Sequence, residues 1–208
     1  MKAWETTETE VPSLHGWSEV LAEVQARIAP RFARAEVRER VGRYLVGLID
    51  RVERKNGWQL AEALGEQGPQ GVQRLPSVAV WDAEGVRDDL RRFVVDGLGD
   101  EASGVLIVDE TGFLKQGRHS CGVARQYTGT AGTTSNAQVG VFLAYASVKG
   151  TAFVDRALYL PRNWSKDSER RTLTHIPKGL HFATKITLAQ RMLGECLCRA
   201  GTRALGHR

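Results

Sequence analysis

The sequence predicts an α/β (α+β) protein, a helical first half followed by an antiparallel sheet of three to four strands. Three observations carry that reading. Apolar residues recur at helical spacing between Val20 and Leu98, as in amphipathic helices packed on a core. Gly104-Val-Leu-Ile-Val108 is an unbroken, largely β-branched run between a glycine and Asp109-Glu110-Thr111-Gly112, which reads as a strand buried on both faces. Beyond it, apolar stretches are separated by segments rich in glycine, threonine and serine, the pattern of antiparallel strands joined by turns.

Taken in order, residues 1–15 show no periodicity and read as a loose tail. Val20, Leu21, Val24 and Ile28 predict a helix up to Pro30, and Val37, Val41, Leu45, Leu48 and Ile49 predict a second. Arg31, Arg34, Arg38, Arg40 and Arg43 fall mostly on the wet side of these helices. Asn56 or Gly57 opens a short helix closed by Gly65, and Gln70 to Leu75 forms another that Pro76 cuts short. Two short helices around a glycine-containing turn fit a helix-turn-helix, whose second helix would bring Gln70, Gln73 and Arg74 to bases or phosphates of DNA. They fit a plain αα-hairpin of the core equally well. Trp58 reads as a core anchor rather than a base-stacking ring. Asp82 caps a helix carrying Val86, Leu90, Phe93, Val94 and Leu98, which ends at Gly97 to Gly99. Residues 16–100 are thus a helical region and 101–208 a sheet region.

Asp109 follows the β-branched run directly. A carboxylate at the exit of a central strand is rigidly held next to water, which is how a magnesium ligand is presented; Asp109 could equally start an ordinary turn. Lys115-Gln-Gly-Arg-His119 reads as a basic hairpin tip, so Lys115, Arg118 and His119, with Arg125 beyond them, are candidate DNA contacts, or simply polar loop residues. Cys121 to Tyr127 and Gln138 to Ser147 read as antiparallel strands joined by Thr128 to Ser135. Lys149-Gly150 is a turn, and Phe153 to Leu160 a strand closed by Pro161. Residues 162–179 read as a charged loop. A last helix starting near Thr187 presents Leu188, Met192, Leu193 and Cys196 on one face, and His175 and His181 stand isolated.

Composition narrows the function classes. At 208 residues with 42% hydrophobic content, the chain can bury a real core. Its start carries acids where a signal peptide needs a basic and then an apolar stretch, and no run approaches the roughly 18 apolar residues of a membrane helix, so a cytoplasmic protein without membrane association is expected. The three cysteines, Cys121, Cys196 and Cys198, offer neither a disulfide framework nor a zinc site. Net charge is +5, but residues 115–208 hold 15 Lys and Arg against four Asp and Glu, and the remainder 14 against 20. A basic half after Asp109 suits a polyanionic partner.

Several separated blocks carry a family resemblance: Val52-Glu-Arg-Lys-Asn-Gly-Trp-Gln-Leu60, Trp81-Asp82, Val108-Asp-Glu-Thr-Gly-Phe-Leu-Lys115, Ser120-Cys-Gly-Val-Ala-Arg-Gln-Tyr127, Gly129-Thr-Ala-Gly132, Asn136-Ala-Gln-Val139 and Leu158-Tyr-Leu-Pro161. Together they resemble the amino-terminal portion of bacterial DDE-type insertion-sequence transposases, from about Phe32 to about Arg191. The resemblance implies a ribonuclease-H-like catalytic domain, Mg²⁺ or Mn²⁺ as cofactor, DNA element ends as partner, and Asp109 as the first acid of an Asp-Asp-Glu triad and a metal ligand. Antiparallel strands opening on one that ends in an acid agree with that fold.

A second and third acid are also needed, because two metal ions about 4 Å apart clamp the attacking and leaving oxygens. In the family the second ends a strand following a helix like Leu188 to Leu197, whereas Arg199 to Arg208 offers neither apolar strand nor acid. The expectation is a truncated catalytic domain, inactive by itself, with weak metal binding and an open edge beside Val105 to Val108 inviting self-association. The alternative is a non-catalytic remnant that binds DNA or an intact transposase. An unrelated phosphate-handling enzyme is the third reading, and no glycine-rich phosphate loop supports it.

Overall fold

The protein is described by a computed structural model covering residues 14–204. The expected tail therefore lies outside the described residues up to position 13, and helix α1 (Leu14–Ile28) already takes in Leu14 and His15. The chain divides into two compact units between Phe93 and Val94.

The first unit is helical. After α1 come a short 3-10 turn (Ala29–Arg31), α2 (Ala35–Ile49), α3 (Gly57–Ala63), α4 (Gln70–Ser77) and the first turns of α5 (Ala83–Leu98). Ile28, Phe32, Val41 and Leu75 are buried together, with Val86 and Trp81 against them, and the Trp81 ring stacks on Phe32 at 5.4 Å. Leu60, Ala61 and Val72 form a second cluster beside Tyr44 and Leu64. The caps are local chemistry: the Asn56 side chain accepts from the Trp58 and Gln59 amides, and Asp82 accepts from the Gly85 amide at 2.8 Å. Gly65 stops α3 with φ of +68°, a left-handed conformation that glycine adopts without a Cβ penalty.

Two expectations for this unit are corrected. Pro76 does not cut α4 short; the helix continues to Ser77, because proline removes only its own N–H while Val78 still donates to Arg74 O at 3.0 Å. Trp58 is no core anchor, being 68% exposed. The arginines lie mostly on the wet side as expected, with Arg34, Arg38 and Arg43 exposed and Arg31 and Arg40 partly so, and they also make bonds: Arg31 donates from Nε and Nη2 to buried Asp89 at 2.7 and 3.0 Å, Arg40 reaches Glu66 at 3.1 Å, and Arg43 donates to Leu64 O at 2.7 Å.

The second unit is built on a four-stranded antiparallel sheet of β1 (Val105–Leu114), β2 (Ala124–Thr128), β3 (Thr133–Ser147) and β4 (Gly150–Tyr159). Strand β3 is central. Its residues 137–146 pair with β1, while 133–137 pair with β2 and 139–147 with β4. Ala137 faces both Leu114 and Ala124, so β1 and β2 occupy opposite edges of β3. Helix α8 (Lys185–Ala204) covers one sheet face, with Met192, Leu188, Leu193 and Cys196 against Val141, Leu143 and Val154.

Here too the structure differs from the sequence reading. The β1 run is not buried on both faces: Val105 and Ile107 are about half exposed, because β1 is an edge strand among the described residues and α8 covers one face only. Nor does the strand end at Val108. It runs on through Asp109 to Leu114, held by ten pairings with β3. Gly112 permits this, since a Cβ there would overlap the buried Thr128 side chain. The expected charged loop at 162–179 contains two short helices, α6 (Arg162–Lys166) and α7 (Ser168–Leu173), the second capped by Asp167 accepting from the Arg170 amide at 2.9 Å.

Candidate functional site

Directly opposed residues of an antiparallel sheet share a face, so the register orients the two acids of β1. Asp109 lies opposite Phe142, which lies opposite Arg156; this is the face turned away from α8. It also carries a cluster of three rings, Phe142 with Phe113 at 6.3 Å and with Phe153 at 5.4 Å. Asp109 is exposed, and its Oδ1 accepts the Glu110 amide at 2.7 Å. Glu110 points the other way, opposite Val141, and is paired at 2.7 Å with Lys185 at the start of α8.

A two-metal site needs several oxygen ligands converging on one point. Glu110 is on the opposite face from Asp109 and already neutralised. Asp155, buried in β4, lies opposite Leu143 and so also on the α8 face. Among the described residues no group of three or more His, Cys, Asp or Glu could hold a metal ion. Asp109 alone does not fit a two-metal centre.

The candidate DNA contacts fall into two groups. Lys115, Arg118 and His119 lie on the connection from β1 to β2, which is not the expected hairpin tip, since those strands sit on opposite edges of β3. Asn136 holds this loop in shape, its Nδ2 donating to Lys115 O and Gly117 O at 2.8 and 2.9 Å, while Arg170 donates to Arg118 O at 2.5 Å. Arg125 on β2 is opposite Asn136 and exposed, which places it beside the same loop. None of the four is ion-paired among the described residues. Lys115 is six residues from Asp109 along the chain, about 20 Å in an extended strand. The second group is on α4, where Val72 and Leu75 are buried while Gln70, Gln73 and Arg74 are exposed.

The DDE superfamily endonuclease family matches residues 27–205. The chain belongs to this family. It is similar to the probable transposase for insertion sequence element IS701 of Microchaete diplosiphon, 29% identical over 159 residues, which is 72% of this chain and 41% of that protein. The chain thus spans less than half the length of that relative. No solved structure matches it.

In this member of the family, sequence reasoning missed the exposure of Trp58 and the Glu110–Lys185 pair. The first was available from helix geometry. At about 100° per residue, Trp58 lies roughly 160° around α3 from Leu60, away from the buried side. The second joins residues 75 apart, and no local signal announces it. Among the described residues no helix is long and apolar enough to cross a membrane.

Proposed function

We propose that this chain is a DNA-binding part of an insertion-sequence transposase and does not itself cut DNA. The observation that carries the reading is the set of three cationic side chains, Lys115, Arg118 and Arg125, with the His119 ring between them in the chain, displayed on one braced loop and strand without carboxylate partners among the described residues. The 15-to-4 excess of basic residues from Lys115 onward supports it. Such groups bind phosphate by releasing condensed counterions. On α4, Gln70, Gln73 and Arg74 form a second polar face that suits the same partner. In the intact family, transposition joins metal-dependent strand cleavage to strand transfer at element ends. Asp109 would supply one carboxylate ligand to Mg²⁺ or Mn²⁺ there, with further carboxylates that the described residues do not bring to it.

Titration of labelled duplex at several salt concentrations tests the binding. Affinity falls steeply as salt rises, and the double substitution Lys115→Ala, Arg118→Ala lowers the slope of log K against log salt by about 2, near one unit per phosphate contact. A flat salt dependence, or no binding at low salt, rules the reading out. Incubated with supercoiled plasmid and Mg²⁺ or Mn²⁺, the chain leaves the plasmid intact. Metal-dependent nicking that disappears in Asp109→Ala overturns the non-catalytic part.

A second reading rests on the far edge of β1, where no described strand pairs with Val105–Leu114. An open apolar edge of that kind adds a strand from another chain. The partner would be a second copy or an intact transposase, and sedimentation of the purified chain, alone and mixed with that transposase, separates this reading from a monomer that binds DNA only.

A further inference from the structure

We propose that the cavity between α6, α7 and the segment 178–182 binds the terminal phosphate monoester of a nucleotide, carried by the end of a DNA strand or by a free mononucleotide. The cavity measures about 340 Å³ and is bordered by Ser165, Arg171, Lys178, Leu180, His181 and Phe182. That volume falls in the range of roughly 300–1,000 Å³ for small-molecule sites. None of Lys115, Arg118, His119 and Arg125 borders it. Its walls are braced by the fold. After α7 the chain turns back at His175, whose φ is +55°. Arg171 then donates from Nη2 to Pro177 O at 3.0 Å and Leu180 O at 2.8 Å, fastening the returning segment to α7. Ile176 packs against the buried Trp164 cluster. Phe182 meets the Tyr159 ring of β4 edge-on at 6.4 Å and lies 5.0 Å from the Arg162 guanidinium. A cavity held this way loses little freedom when it is filled.

The chemistry of the lining identifies the occupant. Two full cations, Arg171 and Lys178, border the cavity together with the His181 imidazole, and no carboxylate among the described residues does. Residues 162–182 hold five Lys and Arg against two Asp and Glu, and one of those acids, Asp167, is engaged in capping α7. The occupant is therefore an anion. A phosphate monoester carries a charge of about −1.5 to −2 at neutral pH and three acceptor oxygens, which matches two cations and a ring N–H. A phosphodiester or a carboxylate has a single charge and leaves one cation unmatched. Arginine and lysine hold such oxygens through charge-assisted hydrogen bonds. Leu180 and Phe182 add an apolar wall. A bare phosphate ion makes no use of that wall, whereas the sugar and base of a nucleotide pack against it. Only the strand-end source rests on the DNA-binding reading.

Two assays on the full chain test the site. Isothermal titration with thymidine 5′-monophosphate, thymidine and inorganic phosphate reads the cavity alone. Fluorescence anisotropy with one internally labelled single strand, bearing a 5′-phosphate, a 3′-phosphate or neither, reads strand ends. The monophosphate binds about tenfold more tightly than thymidine or inorganic phosphate, and a phosphorylated strand about tenfold more tightly than the unphosphorylated one. Lys178→Glu removes the preference, His181→Ala narrows it and Lys178→Arg keeps it. Lys115→Ala, Arg118→Ala weakens all three strands alike and leaves the preference unchanged. A preference seen only with the free nucleotide supports the site and assigns it to mononucleotides; one seen only with the strands assigns it to DNA ends. No preference for phosphate in either assay overturns the site while leaving the DNA-binding reading intact. A chain that binds the monophosphate but no strand overturns the DNA-binding reading and leaves the site standing. Inorganic phosphate that competes as well as the monophosphate, or a preference unchanged in Lys178→Glu, overturns the nucleotide site. Lys178 and His181 are exposed, so neither substitution disturbs the core, and a common far-UV melting curve checks that each variant folds.

Discussion

Trp164→Ala is expected to lower the stability of the sheet unit by about 4 kcal/mol, the middle of the range for deleting a buried large aromatic side chain. Trp164 has no exposed surface and packs with Val123 and Leu160, with Cys121 and Ile176 at the margin. Its Nε1–H donates to Val123 O at 2.8 Å in a buried setting, and the Arg170 guanidinium lies 3.8 Å over the ring. One side chain on α6 thus fastens the approach to β2, the end of β4 and, through Arg170 and Arg118 O, the basic loop. Alanine opens a cavity and takes the strongest partner from a buried carbonyl. Since domains are stabilised by roughly 5–15 kcal/mol, the urea midpoint should move far to the left. Trp164→Phe keeps most of the volume, loses the donor, and should shift it by about one third as much. A shift in Trp164→Ala equivalent to less than about 1 kcal/mol would show that the cluster is dispensable.

How much of this was legible depended on the range of the interaction. Helices α1, α2, α5 and α8 could be read because their apolar spacing is local, and the Asn56 and Asp82 caps because a cap is decided within three residues. Strand β1 was legible as a strand, and its open edge was expected, but not the exposure of its faces, since a β-branched run says nothing of which layer covers each face. Asp109-Glu110-Thr111-Gly112 has turn composition, and only its pairing with residues 139–142 of β3 makes it extended. The same error propagated to the site. Asp109 was placed at a strand exit and is instead mid-strand on an open face, while the hairpin tip with Lys115 and Arg118 proved to be a connection between opposite edges. Family resemblance singled out Asp109; nothing near it in sequence could supply further metal ligands, because ligands that converge in space come from distant elements. The wet-side placement of the arginines was legible, but not their partners, Arg31 finding its acid 58 positions away.

That last pair carries the other large effect. Asp89 is 5% exposed, accepts both Arg31 bonds and is also paired with Arg92. Removing one partner of a buried pair leaves the other desolvated and unmatched, at about 3–5 kcal/mol; the Arg31 side chain is one-third exposed, so Asp89→Asn should fall near the lower bound, about 3 kcal/mol. Acid separates this mechanism from simple packing loss. The Arg31 hydrogen bonds, and then those of Arg92, hold the Asp89 carboxyl below the usual carboxylate range, against the upward push of burial. A group whose folded pKa is depressed stabilises fully above its unfolded value, about 3.9, and loses that contribution as pH falls through the folded value. The stability gap between wild type and Asp89→Asn should therefore be flat from pH 7 to pH 5 and close only below about pH 4. Urea midpoints across that range measure it. A gap that narrows above pH 5 would mean that another group carries the charge, and a gap that persists unchanged to the most acidic folded condition would mean that Asp89 is held by shape rather than by its ion pair with Arg31.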